Sequence, residues 1–462
     1  MAVASNLFYD SNDTQKQTLY LRSSPTDEQF DAQQERWNLL ADYLQSELKE
    51  LAGYNISTWL QGSYKFGTQI RPVTPEEEFD IDLGLYFEWD DHRDKGNYSP
   101  KQLRDFVQTS LKNYQRLNPD AVKEVGGKKT RCCRIRYVHN FHIDVPAYHL
   151  WPAKDKRSLA TDLKWEDSDP QAIYSWFVDY IDGAIRPKVR RQIQYIKAWA
   201  ALKFKESSRP SSILLTVLVA QAVNSIGAPN LGPEDELLRD VLAKIVTRLS
   251  TNSAVKNPVD DSENLNRMER EDFDDFKTKL SAFSAHAKSA CATDNIATSI
   301  DHWQQEFAYL FPMPEISEEV VENTLPTKVF FPEIEVTAQP RNNRFVKPYT
   351  GRNKIGPIPK DCSIYFRIVN ANELPPYATV QWTVRNEGRE AENMNDLGHV
   401  GTAAFSTDER SAYVGTHYMD CVIRIGGQIA GVRRVPVTIT GSIMPRRNPT
   451  QKPHWTKLRN RR

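Results

Sequence analysis

A chain of 462 residues is too long for one ordinary globular unit, so two or three domains are expected. The 60 Lys+Arg balance 60 Asp+Glu, which excludes a whole-molecule basic field for holding a polyanion. A content of 39% hydrophobic and 10% aromatic residues excludes a disordered chain.

Residues 26–51 carry Phe30, Trp37, Leu40, Tyr43, Leu44, Leu48 and Leu51 at helical spacing, which predicts an amphipathic helix. Ile56–Leu60 reads as a short strand that ends at a Gly62-Ser63 turn. Phe79 to Phe87 alternates with period two and presents Asp80 and Asp82 on one face. A helix over Ser99–Leu117 and strands over Arg131–Val138 and Phe141–Tyr148 then predict a mixed sheet backed by helices. From Asp169 to about Leu310 the pattern turns helical, with helices over 170–182, 187–205, 211–226, 234–250 and 266–288 and polar linkers such as Thr251–Asn264. Between Phe330 and Thr440 short runs rich in Val, Ile, Thr and aromatics predict a sandwich-like all-β domain, punctuated by turns such as Gly426-Gly427. The expected organisation is α+β: a sheet domain with its N-terminal helix over 1–165, a helical domain over 166–311, a β-rich domain over 325–445 and a basic tail over 446–462.

No apolar run approaches a membrane span, since the greasiest stretch, Ile213–Ala220, covers eight residues. Met1-Ala2-Val3-Ala4-Ser5-Asn6 has neither the basic nor the apolar region of a secretory signal. The five cysteines (Cys132, Cys133, Cys291, Cys362, Cys421) have the spacing of neither a disulfide framework nor a zinc site. A cytoplasmic protein with no membrane partner is the expectation.

The chemistry is carried by Gln61-Gly62-Ser63, Gly67-Thr68, Asp80-Ile81-Asp82 and a lone Asp144 in Phe141-His142-Ile143-Asp144-Val145. A Gly-Ser turn after a strand presents backbone N–H groups and a hydroxyl to phosphate oxygens. Two aspartates at i and i+2 of a strand point the same way, and a third from a neighbouring strand completes an oxygen-only site suited to Mg²⁺ or Mn²⁺. Two such ions would activate a hydroxyl and stabilise a departing pyrophosphate, so the expected reaction is nucleotidyl transfer from an NTP. Asp80, Asp82 and Asp144 are the expected catalytic and metal-binding residues. A solvated edge strand is the bland alternative; the apolar residues flanking all three aspartates weigh against it, because an unpaired charge there is costly.

These residues resemble the polymerase-β-type nucleotidyltransferases and, more narrowly, the bacterial CD-NTases, relatives of cyclic GMP-AMP synthase and oligoadenylate synthase. Gly67-Thr68-Gln69-Ile70-Arg71-Pro72 resembles that family's extension after Gly-Ser, and Trp165-Glu166-Asp167-Ser168-Asp169-Pro170 with Trp176-Phe177 its entry to the helical domain. Ile193–Trp199 followed by Pro210-Ser211-Ser212 is similar to the helix pair that holds the donor triphosphate. The resemblance covers about residues 10–310 and implies a polymerase-β-like sheet domain with two Mg²⁺ (or Mn²⁺) ions. It also implies nucleotide binding by Gln61, Gly62, Ser63, Lys197 and Ser211, with Lys197 and Ser211 on the β- and γ-phosphates. The implied activity is synthesis of a cyclic di- or trinucleotide messenger from NTPs, ATP and/or GTP, in antiphage (CBASS) signalling. A downstream effector would bind the product; no stable nucleic-acid partner is implied.

Alternatives stay open. Lys197 also reads as a solvated helix lysine, Ser212 is as good a hydroxyl as Ser211, and either serine would cap the following helix. Lys128, Lys129, Arg131, Arg134 and Arg136 would reach an acceptor nucleotide or simply cover a wet face, and His139-x-x-His142 lacks further Cys/His partners for a metal. Residues 76–94 hold nine acids against one Arg, whereas 186–209 hold eight Lys/Arg against one Glu, a polarity that suits metal on one side and triphosphate on the other. Val380–Gly388, Glu390-Ala391, Tyr413–His417 and Cys421 resemble the AGS-C sensor domain, which implies ligand sensing; Trp382 fits a sandwich core, Asn386-Glu387-Gly388 a hairpin turn, and His417 a ligand contact. A linear-oligonucleotide synthase, an RNA or protein nucleotidyltransferase and a non-enzymatic nucleotide sensor remain the competing functions.

Overall fold

The computed structural model describes residues 3–12, 18–127, 129–138, 140–313, 330–341 and 347–441. Lys128, His139 and the expected tail over 446–462 lie outside them. The chain divides into two compact units, Met1–Met313 and Pro314–Arg462.

In the first unit, α1 (Ser5–Phe8) and α2 (Leu19–Ser23) precede the long α3 (Asp27–Ala52). A Thr26/Gln29 capping box starts α3, and left-handed Gly53 ends it. β1 (Asn55–Gln61), α4 (Gly62–Phe66) and β2 (Phe79–Glu88) follow, then α5 (Pro100–Leu117), which Ser99 and Gln102 cap in the same way. β3 (Val122–Val125), β4 (Cys133–Tyr137), β5 (Phe141–Val145), β6 (Ala147–Trp151), β7 (Lys156–Ala160) and β8 (Trp165–Asp167) complete an eight-stranded sheet.

The strand expected over Phe141–Tyr148 is divided at Pro146, which has no N–H to donate. Its register along β2 is nevertheless constant, with Asp82 opposite Asp144 and Leu85 opposite Ala147. One sheet face buries Phe79, Ile81, Leu83, Ile135 and Ile143 against Leu40, Leu44 and Leu48 of α3 and Leu103, Val107 and Leu111 of α5. The opposite face carries polar residues beside a small cluster of Tyr86, Tyr148 and Leu159.

The helices are α6 (Pro170–Tyr180), α7 (Arg186–Lys203), α8 (Ser212–Ile226), α9 (Glu234–Thr251), α10 (Arg270–Ala292) and α11 (Ile296–Phe307). The expected linker over Thr251–Asn264 contains a small hairpin, β9 (Lys256–Asn257) with β10 (Asp260–Asn264). Helix α11 lies beyond the last helix expected from the sequence, although Ile300, Trp303 and Phe307 give it a buried stripe. Helix α7 joins the two regions: Gln194 Nε2 donates to Gln69 O at 3.0 Å, and Lys197 Nζ to Thr68 O at 2.7 Å.

The second unit is a sandwich. A four-stranded sheet contains β11 (Ile334–Pro340), β12 (Tyr349–Arg352), β14 (Cys362–Ile368) and β17 (Ser406–Arg410). The five-stranded sheet contains β13 (Ile355–Pro359), β15 (Thr379–Arg385), β16 (Gly398–Val400), β18 (Gly415–Ile425) and β19 (Gln428–Thr440). Side chains from both sheets form one core around the fully buried Trp382. Gly426 (φ 62°) and Gly427 (φ 82°) turn β18 into β19, as the sequence leads one to expect. Asn386-Glu387-Gly388 is not a tight hairpin turn; it leads into α12 (Arg389–Asn393) before the chain returns as β16.

On the sheet face away from that core, Asp420 is 1% exposed and bound by two guanidiniums. Arg385 Nε lies 2.6 Å from Asp420 Oδ2, and Arg434 Nε 2.8 Å from Oδ1. Burial pushes the carboxyl up, but the two arginines hold it below its ordinary value. Asp420→Asn removes the carboxylate both guanidiniums share and should cost the second unit about 3–5 kcal/mol, read by urea denaturation. Because the folded pKa is depressed, this stabilisation is present above the unfolded value near 4 and is lost as pH falls through the folded value; the variant's acid sensitivity should lack that component.

Candidate active site

Two neighbouring parallel strands build the site. β2 and β5 place Asp80 opposite His142 and Asp82 opposite Asp144, and the alternation that buries Ile81 and Ile143 lifts these four side chains to the other face. β4 then sets Arg134 opposite Asp144 and Arg136 opposite His142. Ligand atoms of Asp80, His142 and Asp144 all lie within 4.8 Å of one another. His142 Nε2 is 2.8 Å from Asp80 Oδ1, while its Nδ1 is 3.0 Å from Glu78 Oε2.

Asp82 faces Gly62. Gly62 has φ +59°, and a Cβ there would collide with Asp82 Oδ2, so the turn requires glycine for both its conformation and its space. Gln61, which ends β1, is 5% exposed; its Nε2 donates to Tyr86 Oη at 2.9 Å and its Oε1 accepts from Tyr148 Oη at 3.2 Å. A Cβ at Gly84 would strike Gln61 Nε2. The Gly62-Ser63 turn is thus fixed by a buried amide clamped between two tyrosines. Burial pushes the Tyr86 phenol up to about 12 against the opposing effect of the Gln61 hydrogen bond, which leaves a neutral hydrogen-bonding group.

The electrostatics divide the carboxylates. Burial first, then the charges of Asp80 and Asp144, drive the Asp82 carboxyl well above the usual range. Burial acts in the same direction on Asp144, but the Arg134 fork outweighs it: Nε sits 2.5 Å from Oδ1 and Nη2 2.7 Å from Oδ2. Lys129 Nζ adds a contact at 3.5 Å. The loop carrying Lys129 is held from behind by α5, where buried Arg104 binds the carbonyls of Lys129 and Cys132 and Gln108 Nε2 donates to Gly126 O at 2.9 Å.

Crowded carboxylates with one imidazole beside them suit a hard divalent cation, and the raised Asp82 marks the repulsion such a cation would relieve. The residues therefore fit a metal.

The other expected residues occupy distinct places. Ser63 and Lys197 line a cavity of about 520 Å³ that also takes in Asp80, Arg71, Arg136 and Arg209. Gln61, Gly62 and Asp82 line a second cavity of about 690 Å³ with Arg131, Arg157, Ile213 and the β9–β10 hairpin. Asp80 lines the first of these cavities and Asp82 the second. The serine pair divides its roles: Ser211 accepts from Leu214 N as the cap of α8, and Ser212 lines the 520 Å³ cavity. Sequence reasoning missed His142 as a neighbour of Asp80. The signal was its position two residues before Asp144 on a strand, which shares that residue's face; pairing it with His139 imposed the wrong period.

Residues 56–148 match the family model for the nucleotidyltransferase domain of DncV-like cyclic GMP-AMP synthases. A cyclic GMP-AMP synthase of Escherichia albertii is 30% identical over 94% of this chain and 96% of its own length. The chain belongs to the DncV-like cyclic GMP-AMP synthase family. This family member is a nucleotidyltransferase, and its residues 315–440 match the adenylyl/guanylyl and SMODS C-terminal sensor domain. A c-di-GMP synthase of Roseivirga ehrenbergii is 26% identical over 50% of this chain and 65% of its own length. The apo form of Vibrio cholerae DncV superposes with a TM-score of 0.58 at 20% identity, covering 69% of this chain and 97% of that one. The same protein with a linear intermediate, 5′ pppA(3′,5′)pG, gives 0.55 at 20% identity over 66% and 94%. These structures share the fold of the first unit. Among the described residues no helix is long and apolar enough to cross a membrane.

Burial lowers the Lys197 pKa to about 8, against the opposing pull of Asp80 and Asp82. Its charge is therefore lost as pH rises through about 8, and KM for NTP should climb there. Lys197→Met should raise KM at pH 7 by about tenfold or more, the scale of one charge-assisted contact, and abolish that pH-dependent rise in steady-state kinetics.

Proposed function

We propose that the chain is a cyclic dinucleotide synthase that joins two purine NTPs, ATP and GTP, using two Mg²⁺ ions held by Asp80, Asp82 and Asp144. The observation that supports the reading is that neighbouring carboxylates of one strand serve two cavities, Asp80 one and Asp82 the other, each large enough for a nucleotide-sized ligand. Two separate cavities, each of nucleotide size, favour two small substrates.

One NTP lays its triphosphate against Gly62 and Ser63, with Lys197 and Ser212 on its outer phosphates. The acceptor's ribose hydroxyl oxygen attacks the α-phosphorus, a phosphodiester bond forms, the bond to the β-phosphate oxygen breaks, and pyrophosphate and a proton leave. The metal ions, when bound, lower the pKa of the hydroxyl and neutralise charge on the leaving group. Arg134 and Lys129 keep Asp144 ionised, which suits holding the attacking group in place. The linear product retains one triphosphate, and its return to the Gly62-Ser63 turn closes the ring. The E. albertii and R. ehrenbergii relatives carry the names of cyclic dinucleotide synthases, which supports two nucleotides over three. Antiphage signalling by the product, inside the cell, is part of the same proposal.

Incubation with ATP, GTP and Mg²⁺ should yield a phosphatase-resistant species with the mass of a cyclic dinucleotide; products that phosphatase degrades entirely would reject cyclisation. Asp80→Asn with Asp82→Asn should lower turnover by about a thousandfold or more, several kcal/mol of transition-state stabilisation, with an unchanged melting curve. Chelation by EDTA should stop the native chain, and added Mg²⁺ restore it.

A further inference from the structure

We propose that the second unit binds an uncharged, nucleobase-sized nitrogen heterocycle at one end of its sandwich. A cavity of about 240 Å³ opens there, floored by core side chains of both sheets, Phe366 from one and Val384, Met419 and Ile439 from the other. Protein cores pack to crystal density, so a gap of this size between two sheets is a maintained feature.

What maintains it is a braced rim. Tyr413 Oη donates to Asp396 Oδ2 at 2.8 Å, Asn386 Nδ2 to Asp396 Oδ1 at 3.2 Å, and His399 Nε2 lies 2.8 Å from Glu409 Oε1. His417, which the sequence offers as a ligand contact, lines the cavity and also braces its rim. Its Nδ1 accepts from Glu387 N at 3.2 Å and its Nε2 sits 2.9 Å from Tyr413 O, so the ring ties the loop after β15 to the loop before β18. Glu390 repeats the tie by accepting from Val414 N at 2.8 Å. The mouth is thus set before any ligand arrives, which lowers the ordering cost of binding.

Size and charge select the ligand. An apolar cavity of about 150 Å³ holds benzene, and drug-sized ligands need about 300 Å³ or more, so this one suits a substituted or fused ring. Asp396 and Glu409 each keep acceptor capacity beyond the bonds above. The one arginine of the lining, Arg410, is turned to Asp361 at 2.5 Å. The rim therefore accepts N–H donors through Asp396 and Glu409, and the cations of the lining, Arg410 and His399, are turned to acids rather than open to a phosphate.

Isothermal titration of the full-length chain with adenosine, guanosine, cytidine and uridine tests the site. At least one nucleoside should bind, and its 5′-monophosphate should bind about tenfold more weakly or worse, the scale of a like-charge contact. Glu409→Gln on the rim should weaken the nucleoside about tenfold while narrowing the gap to the monophosphate. Met419→Trp, which fills the floor, should remove binding; its melting curve shows whether it folds, and the rim variant carries the test if it does not. Binding in the catalytic cleft is told apart by Gly62→Val, which should leave this site's affinity unchanged. Four nucleosides without heat, a monophosphate that binds as well as its nucleoside, or binding lost in Gly62→Val and kept in Glu409→Gln would each overturn the proposal.

Discussion

Three carboxylates on two adjoining strands repel one another, and the rest of the first unit is arranged to hold them there. A parallel register sets Asp82 directly opposite Asp144, a separation at which both anions are costly in a half-buried floor. The chain answers unevenly. Arg134 and Lys129 neutralise Asp144 from β4 and its loop, while Asp82 keeps only the distant help of those cations and stays hard to ionise. That imbalance gives a site that is electrostatically incomplete by itself and completed by a cation.

The Gly62-Ser63 turn depends on steric exactness at the end of β1, where Gln61 pairs with Asp82. Gly62 leaves room for Asp82, Gly84 leaves room for Gln61, and the tyrosine pair fixes the amide so that the turn cannot drift. Lys197 arrives from α7 already hydrogen-bonded to the Thr68 carbonyl, so the helical region brings its charge to the sheet as a rigid attachment. Ser63, Asp80 and Lys197 then line one cavity, and Gly62 and Asp82 the other.

The second unit shows the contrasting use of charge. Its interior arginines serve Asp420 and the sheet itself, and its cavity is rimmed by acids that are already hydrogen-bonded. One molecule thus carries a crowded carboxylate floor suited to a cation in its first unit, and an apolar chamber with an acceptor rim in its second.

Much of this was legible before any coordinates. Period-two alternation through Phe79–Phe87 put Asp80 and Asp82 on one face, the turn at Gly62-Ser63 was marked by its glycine, and helical spacing marked α3, α5 and α6–α10. The hairpin inside Thr251–Asn264 was not legible, because the five polar residues of β10 carry no alternating apolar signal. The sequence by itself determined which residues carry charge and which way each strand or helix turns them, since side-chain direction follows from local backbone geometry. Only the tertiary structure decided that Arg134 meets Asp144, that His142 meets Asp80, that Gln61 rests between Tyr86 and Tyr148, and that Ser212 rather than Ser211 faces the cavity. Those pairings join residues up to 87 positions apart, and their register is set by how whole strands and helices pack, which no local pattern encodes.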